Sequence, residues 1–196
     1  MVPLVARQRD FYKSDRTPPP EAPPRYGPWM LLMGLAVGAS ALGLAYWGRR
    51  GARLPRVLLG LEHVVLGLGL GLPGTALMIM WLFTDHTVTY RNENLFLANP
   101  LTLMVAPLGV ALIFGSKRAR VGLRVIWMAM AALGVLGLVL KVIPVFDQDN
   151  WRLIALILPI SLGFAGAFNL ERLLARVSAR SREPGQQSLP SSLKTP

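Results

Sequence analysis

The chain has 196 residues, of which 53% are hydrophobic and 16% are charged, and its mean hydropathy is positive. Water-soluble globular domains of this size rarely have this composition, so the sequence predicts an integral membrane protein. The net charge is +11, but the basic residues stand beside apolar runs, which is typical of membrane proteins and argues against nucleic-acid binding. There is no cysteine, which excludes disulfides, thiolate metal sites and thioester chemistry from this chain.

The two ends of the chain differ in composition from its middle. In residues 1–28 the segment TPPPEAPPRYGP favours polyproline II, so we interpret these residues as a tail with a stiff linker, of the kind that usually separates a soluble module from a membrane anchor. Residues 175–196 are polar and rich in serine and proline, which predicts a disordered cytoplasmic tail. The transmembrane domain is therefore expected at residues 29–174.

Within this domain we expect an all-α, polytopic membrane helix bundle with five transmembrane helices. Each apolar run is long enough to cross a hydrocarbon core of about 30 Å. The predicted spans lie at about residues 29–48, 57–83, 95–115, 124–145 and 152–171. In the third span, Asn99 and Pro100 offer an alternative helix start, because asparagine is a good N-cap and proline suits the first helical position. In the fourth span, Lys141 is expected to extend its ammonium to the interface along its own methylene stem.

Basic residues alternate between the two sides of the predicted bundle, and this alternation predicts its orientation. Three basic clusters follow span one, precede span four and follow span five, at residues 49–56, 117–124 and 172–182. The segments after spans two and four have few basic residues. The clusters predict a cytoplasmic C-terminus and, with five spans, an N-terminus outside, although the N-terminal tail is itself basic.

The polar segment TDHTVTYRNENLFLANP, residues 84–100, lies between two apolar spans on the predicted outer side. Its candidate functional or docking residues are Thr84, Asp85, His86, Tyr90, Arg91, Asn92, Glu93, Asn94 and Asn99. Asp147 and Asp149, in the next outer segment, are candidates to join them in one polar patch. An adjacent carboxylate and imidazole, as in Asp85 and His86, are the minimum for general base catalysis, and the same groups can bind a divalent cation.

Two other interpretations of this segment remain open. Its threonine, aspartate and asparagine side chains can satisfy backbone groups at helix ends. Alternatively, the segment binds a lipid headgroup or docks an external domain, for which tyrosine and arginine suit an interface.

Glu62 and His63 are ionisable residues inside span two, and such residues in a bilayer are candidates for function. They suggest either a proton relay or a structural role in which Glu62 pairs with Arg56 or Lys117 and His63 is a satisfied residue of the bundle. The glycine pairs Gly34/Gly38 and Gly67/Gly71 have the spacing of helix-packing faces.

The string WLFTDHTVTYRNENLFLANPLTLMVAPLG, residues 81–109, resembles the C-terminal membrane domain of Lnb-like bacterial proteins. In that family a periplasmic domain linked to lipoprotein N-acylation precedes a five-helix membrane domain with a polar TDH…N-N…NP segment after its second helix. The residues that match this segment are Thr84, Asp85, His86, Asn92, Asn94, Asn99 and Pro100. The resemblance extends from Val5 to Leu174, and VARQRDFY is similar to the last helix of the periplasmic domain. The resemblance therefore implies that residues 1–28 are the remnant of an upstream periplasmic domain and its proline-rich linker.

The resemblance implies an anchoring and substrate-presenting domain in the bacterial inner membrane. Its expected partners are membrane lipids and a periplasmic acyltransferase-type domain or lipoprotein substrate. The family's acyl transfer belongs to the periplasmic domain and needs a cysteine nucleophile, which this chain lacks, so no catalytic residue, metal or cofactor is assigned to it. The alternatives are a stand-alone enzyme or proton-coupled carrier that uses Asp85 and His86, and a structural subunit of a membrane complex.

Overall fold

The computed structural model describes residues 26–49, 51–85 and 90–180, and the side chains of residues 170–180 are outside this description. Every regular element in these ranges is helical. The α-helices are α1 (Gly27–Gly48), α2 (Arg53–Phe83), α3 (Val105–Ile113), α4 (Lys117–Leu140) and α5 (Trp151–Arg180). Two 3-10 helices, Glu93–Phe96 and Pro100–Met104, precede α3.

Five segments are long and apolar enough to cross a bilayer. They are α1, α2, α4, the stretch Glu93–Ile113 that includes both 3-10 helices and α3, and the part Trp151–Asn169 of α5. The prediction of an all-α bundle with five transmembrane segments is therefore confirmed. Many large apolar side chains on its outer surface are exposed, as expected where a helix faces lipid chains.

Several helix boundaries differ from those expected from hydropathy. Helix α2 begins at Arg53, before residue 57, and α4 runs from Lys117 to Leu140 where the span was predicted at 124–145. Helix α5 continues to Arg180, so the tail predicted from residue 175 begins inside a helix. The reason is that hydropathy marks the edge of the hydrocarbon, whereas capping sets the helix end: the Ser116 hydroxyl accepts a backbone hydrogen bond at 3.2 Å from the first turn of α4.

The third span is not one helix over residues 95–115. It starts as the two 3-10 helices and becomes α-helical only from Val105. The second 3-10 helix is capped by Asn99, whose side-chain oxygen accepts from the Leu101 amide at 2.9 Å, and begins with Pro100. Asn99 and Pro100 therefore start the second 3-10 helix, as a cap and first residue, whereas the α-helix itself begins at Val105.

Helices α1 and α5 run parallel and pack backbone against backbone. A Cβ added at Gly34 would collide with the carbonyl oxygens of Ala155 and Leu156, and one at Gly163 would collide with the backbone of Gly38. The contact is this close because none of these three glycines has a side chain. Pro159 also contributes, since it has no N–H to bond the Ala155 carbonyl within α5.

Helices α2 and α3 run antiparallel through a second set of glycines. Successive glycines of α2 meet residues of the third span in reverse order, in the pairs Gly67 with Ala106, Gly71 with Leu103 and Gly74 with Asn99. A Cβ at Gly74 would lie 2.6 Å from Asn99 Cα. The glycine faces predicted for helix packing therefore do pack, and the α2 face fixes the irregular start of the third span.

The direction of the helices gives the bundle two chemically different ends. We call one of them the polar end. Helices α1 and α5 start there, α2 and α4 terminate there, and the first 3-10 helix is located there. At the opposite end, the basic end, α1 and α3 end and α2 and α4 begin. The segments of the basic end contain Arg49, Arg53, Arg56, Lys117, Arg118, Arg120 and Arg124.

Candidate functional site

At the polar end, the two connecting segments are joined by a buried ion pair between Glu93 and Lys141. Lys141 follows the last residue of α4, and its ammonium donates to Glu93 Oε2 and, at 2.6 Å, to the carbonyl oxygen of Gln148. Glu93 and Gln148 also exchange hydrogen bonds: the Glu93 amide donates to Gln148 Oε1 at 2.9 Å, and the Gln148 amide donates to Glu93 Oε1 at 3.1 Å.

These contacts bury the charges of Glu93 and Lys141 and pair them with each other. Both oxygens of the Glu93 carboxylate accept hydrogen bonds, and the side chains of Lys141 and Glu93 are only 6% and 9% exposed. A buried charge needs such a partner, because an unpaired one would cost several kcal/mol. The Lys141 ammonium is buried against the Glu93 carboxylate at the polar end, and its position at the membrane interface stays a prediction.

Asp147 and Asp149 take no part in this network. Both are exposed, whereas Gln148 between them points toward Glu93. The two segments do meet, but through a glutamine that sequence reasoning did not single out. The sequence feature that indicates such a contact is Glu93 itself, because an acidic residue at the start of an apolar span requires a partner.

The asparagines of the polar segment mostly serve the backbone. Asn92 Oδ1 accepts from the Asn94 amide at 3.0 Å and caps the first 3-10 helix, as Asn99 caps the second. Asn99 is buried, and its carbonyl accepts from the Thr102 hydroxyl at 2.6 Å. The Oδ1 atoms of Asn94 and Asn150 are buried without a hydrogen-bond partner in the described structure.

At the end of α2, Thr84 has a similar structural role. Its hydroxyl donates to the Met80 carbonyl at 2.6 Å, and its own carbonyl accepts from the Tyr90 hydroxyl at 3.2 Å. Asp85 is exposed, and its side chain makes no hydrogen bond or ion pair with the described residues. His86 lies outside the described residues, so the proposed Asp85–His86 pair stays a prediction.

The intramembrane residues Glu62 and His63 face different neighbours on α2. The predicted pairing of Glu62 with Arg56 or Lys117 is wrong: its Oε1 atom lies 2.6 Å from the hydroxyl of Ser40 on α1. The reason is that Glu62 lies on the face of α2 that packs against α1, away from α4.

His63 is completely buried in a cage of aromatic rings. Its ring centroid lies 4.8 Å from that of Phe164, 5.6 Å from Phe168 and 6.1 Å from Trp127. Its Nδ1 atom lies 2.5 Å from the Leu59 carbonyl oxygen, one turn earlier in α2. Nε2 has no partner within the described structure, so only half of the imidazole is satisfied. This environment is that of a core residue.

A metal site is not apparent in the described part of the chain, where no group of three or more histidine, cysteine, aspartate or glutamate side chains converges. Exposed aromatic residues lie at both ends of the bundle. Tyr26, Trp29, Tyr90 and Trp151 lie at the polar end, and Tyr46 and Trp47 lie at the basic end. Tyrosine and tryptophan are enriched at both interfaces of membrane proteins. Together with the five apolar segments, they define a multi-pass α-helical membrane domain.

The family of this domain follows from comparison with known proteins. Residues 28–170 match the family model described as the Lnb transmembrane domain, and the chain belongs to this family. Membership confirms the resemblance noted in residues 81–109 and indicates a membrane-anchoring role. No curated protein and no solved structure matches the chain significantly.

Proposed function

We propose that this chain anchors and presents substrate to a periplasmic lipoprotein N-acyltransferase-type module in the bacterial inner membrane. The polar end is its outer face, where the module and the diacylated lipoprotein substrate meet. The N-terminus lies outside and the C-terminus in the cytoplasm. The chain itself holds the module and its substrate in position and does not provide the catalytic nucleophile.

The observation that best supports this proposal is that α1 begins at the polar end, beside the ends of α2 and α4. A module that precedes α1, or one held there without a covalent link, would stand over the Glu93–Lys141 network. Because this network ties the two connecting segments together, the platform under the module would keep its shape.

The distribution of charge supports the orientation. Arginines and lysines concentrate at the basic end, and such clusters near short loops are retained in the cytoplasm. At the polar end, Lys141 is neutralised by Glu93. The connecting segments of the polar end should therefore cross the membrane more readily than those of the basic end.

The exposed groups of the polar end are suited to docking. Asp85, Tyr90 and Arg91 are exposed and close in sequence, and they combine an acid, an aromatic ring and a base. Aromatic and arginine side chains are enriched in protein interfaces. Thr84, Asn92 and Asn99 support this face because their side chains bond the backbone beneath it, and Asn94 stays a candidate docking residue.

The proposal is tested by deleting the gene in its host and analysing the N-terminal lipopeptides of cellular lipoproteins by mass spectrometry. We expect loss of N-acylated lipopeptides and accumulation of diacylated ones, with restoration by the wild-type gene. Unchanged N-acylation in the deletion strain would contradict the proposal. Acyl transfer to a diacylated lipopeptide by the purified chain alone would contradict the non-catalytic role.

A further inference from the structure

A cavity of about 680 Å³ opens between α2 and α4 next to the polar end. We call it the α2/α4 groove, and its apolar walls are formed by Met78, Trp81, Phe96, Pro100, Leu133 and Phe146. Its volume lies within the range of roughly 300–1,000 Å³ that small-molecule sites occupy. Trp81 is 38% exposed, so the groove is open to the surroundings of the bundle.

The irregular backbone of the third span lines this groove. Non-helical backbone at membrane depth is tolerated only where protein buries it or where it lines a cavity. Both conditions are met here, since α2 packs against the backbone at Leu103 and Asn99 through Gly71 and Gly74, and residues of both 3-10 helices line the groove. A regular α-helix satisfies its own backbone groups and would need neither condition. The groove therefore gives a reason for the 3-10 start of the third span.

The rim of the groove has one uncompensated positive charge. Glu93 and Lys141 neutralise each other, whereas the Arg91 side chain makes no hydrogen bond or ion pair with the described residues. Arg91 is exposed and has a backbone φ of 53°, a left-handed conformation that is uncommon for a residue with a Cβ. Arg91 therefore places an exposed positive charge at the edge of an apolar groove.

We propose that the α2/α4 groove binds one acyl chain of an anionic glycerophospholipid, with the lipid phosphate against Arg91. The groove reaches Leu133, seven residues before α4 ends at Leu140, which corresponds to roughly 10 Å along the helix at 1.5 Å per residue. An acyl chain in the leaflet at the polar end runs in this direction, below a headgroup at the level of the rim. This inference deepens the proposed function, because a lipid held there lies beside the acyltransferase module.

Photo-crosslinking tests the proposal without any module or lipoprotein. The full chain is placed in nanodiscs that contain a trace of phosphatidylglycerol or phosphatidylcholine with a diazirine on one acyl chain, and adducts are mapped by mass spectrometry after irradiation. We expect the adducts to concentrate on peptides with Met78, Trp81 and Leu133. We also expect phosphatidylglycerol to label these peptides several-fold more than phosphatidylcholine does.

Two pairs of variants distinguish specific lipid binding in the groove from nonspecific lipid contact elsewhere on the bundle. Leu133→Trp fills the groove and should reduce groove labelling by both lipids, whereas Leu136→Trp, at an exposed position of α4 outside the groove, should not. Arg91→Gln should abolish the preference for phosphatidylglycerol, whereas Arg152→Gln, an exposed arginine at the same end, should keep it.

Adducts spread evenly around the bundle, or groove labelling that Leu133→Trp leaves intact, would overturn the groove as a lipid site. A preference for phosphatidylglycerol that survives Arg91→Gln would overturn the role of Arg91. These outcomes are independent of lipoprotein N-acylation in cells, so failure of the lipid site and failure of the proposed function are distinguishable.

Discussion

Lys141, at the end of α4, donates its buried ammonium to the carboxylate of Glu93, which begins the third span 48 residues earlier in the chain. This pair closes the polar end of the bundle, because it fixes the segment between spans two and three to the segment between spans four and five. The architecture of the proposed docking face therefore depends on a contact between two residues that are distant in sequence.

Removal of the charge of Glu93 tests the importance of this contact. Glu93→Gln leaves the Lys141 ammonium buried without a counter-charge, and breaking a buried pair in this way typically costs about 3–5 kcal/mol. We expect a marked fall in the thermal unfolding temperature of the purified protein in detergent. Adding Lys141→Met should recover part of the loss, because the unpaired charge is then removed as well.

The control for this experiment is Asp147→Asn, which removes an exposed carboxylate from the same end of the bundle. A change at such a surface position should stay within about 0.5 kcal/mol. Equal unfolding temperatures for Glu93→Gln and Asp147→Asn would show that the buried pair does not stabilise the fold.

The close packing of α1 on α5 is tested by adding a single methyl group. Gly163→Ala places a Cβ against the backbone of Gly38, and overpacking of this kind typically costs about 1–3 kcal/mol. Gly43→Ala, on α1 with no atom within 4 Å of the added Cβ, should instead be neutral or stabilising by up to about 1 kcal/mol, since alanine favours helix. Thermal unfolding in detergent measures both, and equal effects would contradict the α1/α5 contact.

A substitution at His63 tests whether this residue is a core residue or part of a proton relay. His63→Met replaces a half-satisfied imidazole with a flexible apolar side chain inside the aromatic cage, so stability should change by no more than about 1 kcal/mol. Trp127→Ala, in the same cage, should cost about 3–5 kcal/mol because it leaves a cavity. We expect lipoprotein N-acylation to persist in cells with His63→Met, and its loss from a stably folded His63→Met protein would support a relay.

A substitution at Asp85 tests whether this residue has a docking role or a catalytic one. Its side chain is exposed and makes no bond with the described residues, so Asp85→Ala should leave the unfolding temperature unchanged. If the residue contributes to docking, N-acylated lipopeptides should decrease in cells but not disappear. Complete loss of N-acylation with an unaltered fold would favour the rival interpretation, in which Asp85 and His86 act as acid and base.

The membrane fold was predictable because hydropathy and charge are local properties of the sequence. Five apolar runs are each sufficient to define a span, and the predicted packing of Gly67 and Gly71 needed only their spacing. The helix boundaries were less predictable. Capping by Ser116 extends α4 toward the basic end, beyond what hydropathy indicates.

The arrangement of the candidate site was less predictable, because its contacts are long-range. Nothing local to Glu93 identifies Lys141 or Gln148 as its partners, since these contacts arise only when the start of the third span meets the end of the fourth. Glu62 was misassigned for a related reason: its neighbour Ser40 depends on how α1 packs against α2. The role of Asn99 as a cap was foreseeable, because it depends on the residues that follow directly.

The proposed function requires the polar end to face the periplasm, and the absence of cysteine from the chain makes this orientation simple to measure directly. Single cysteines are introduced at exposed positions, Asp149→Cys at the polar end and Arg118→Cys at the basic end. Spheroplasts are then treated with a membrane-impermeant maleimide before and after permeabilisation. We predict that Asp149→Cys reacts in intact spheroplasts and that Arg118→Cys reacts only after permeabilisation. The reverse pattern would contradict the account.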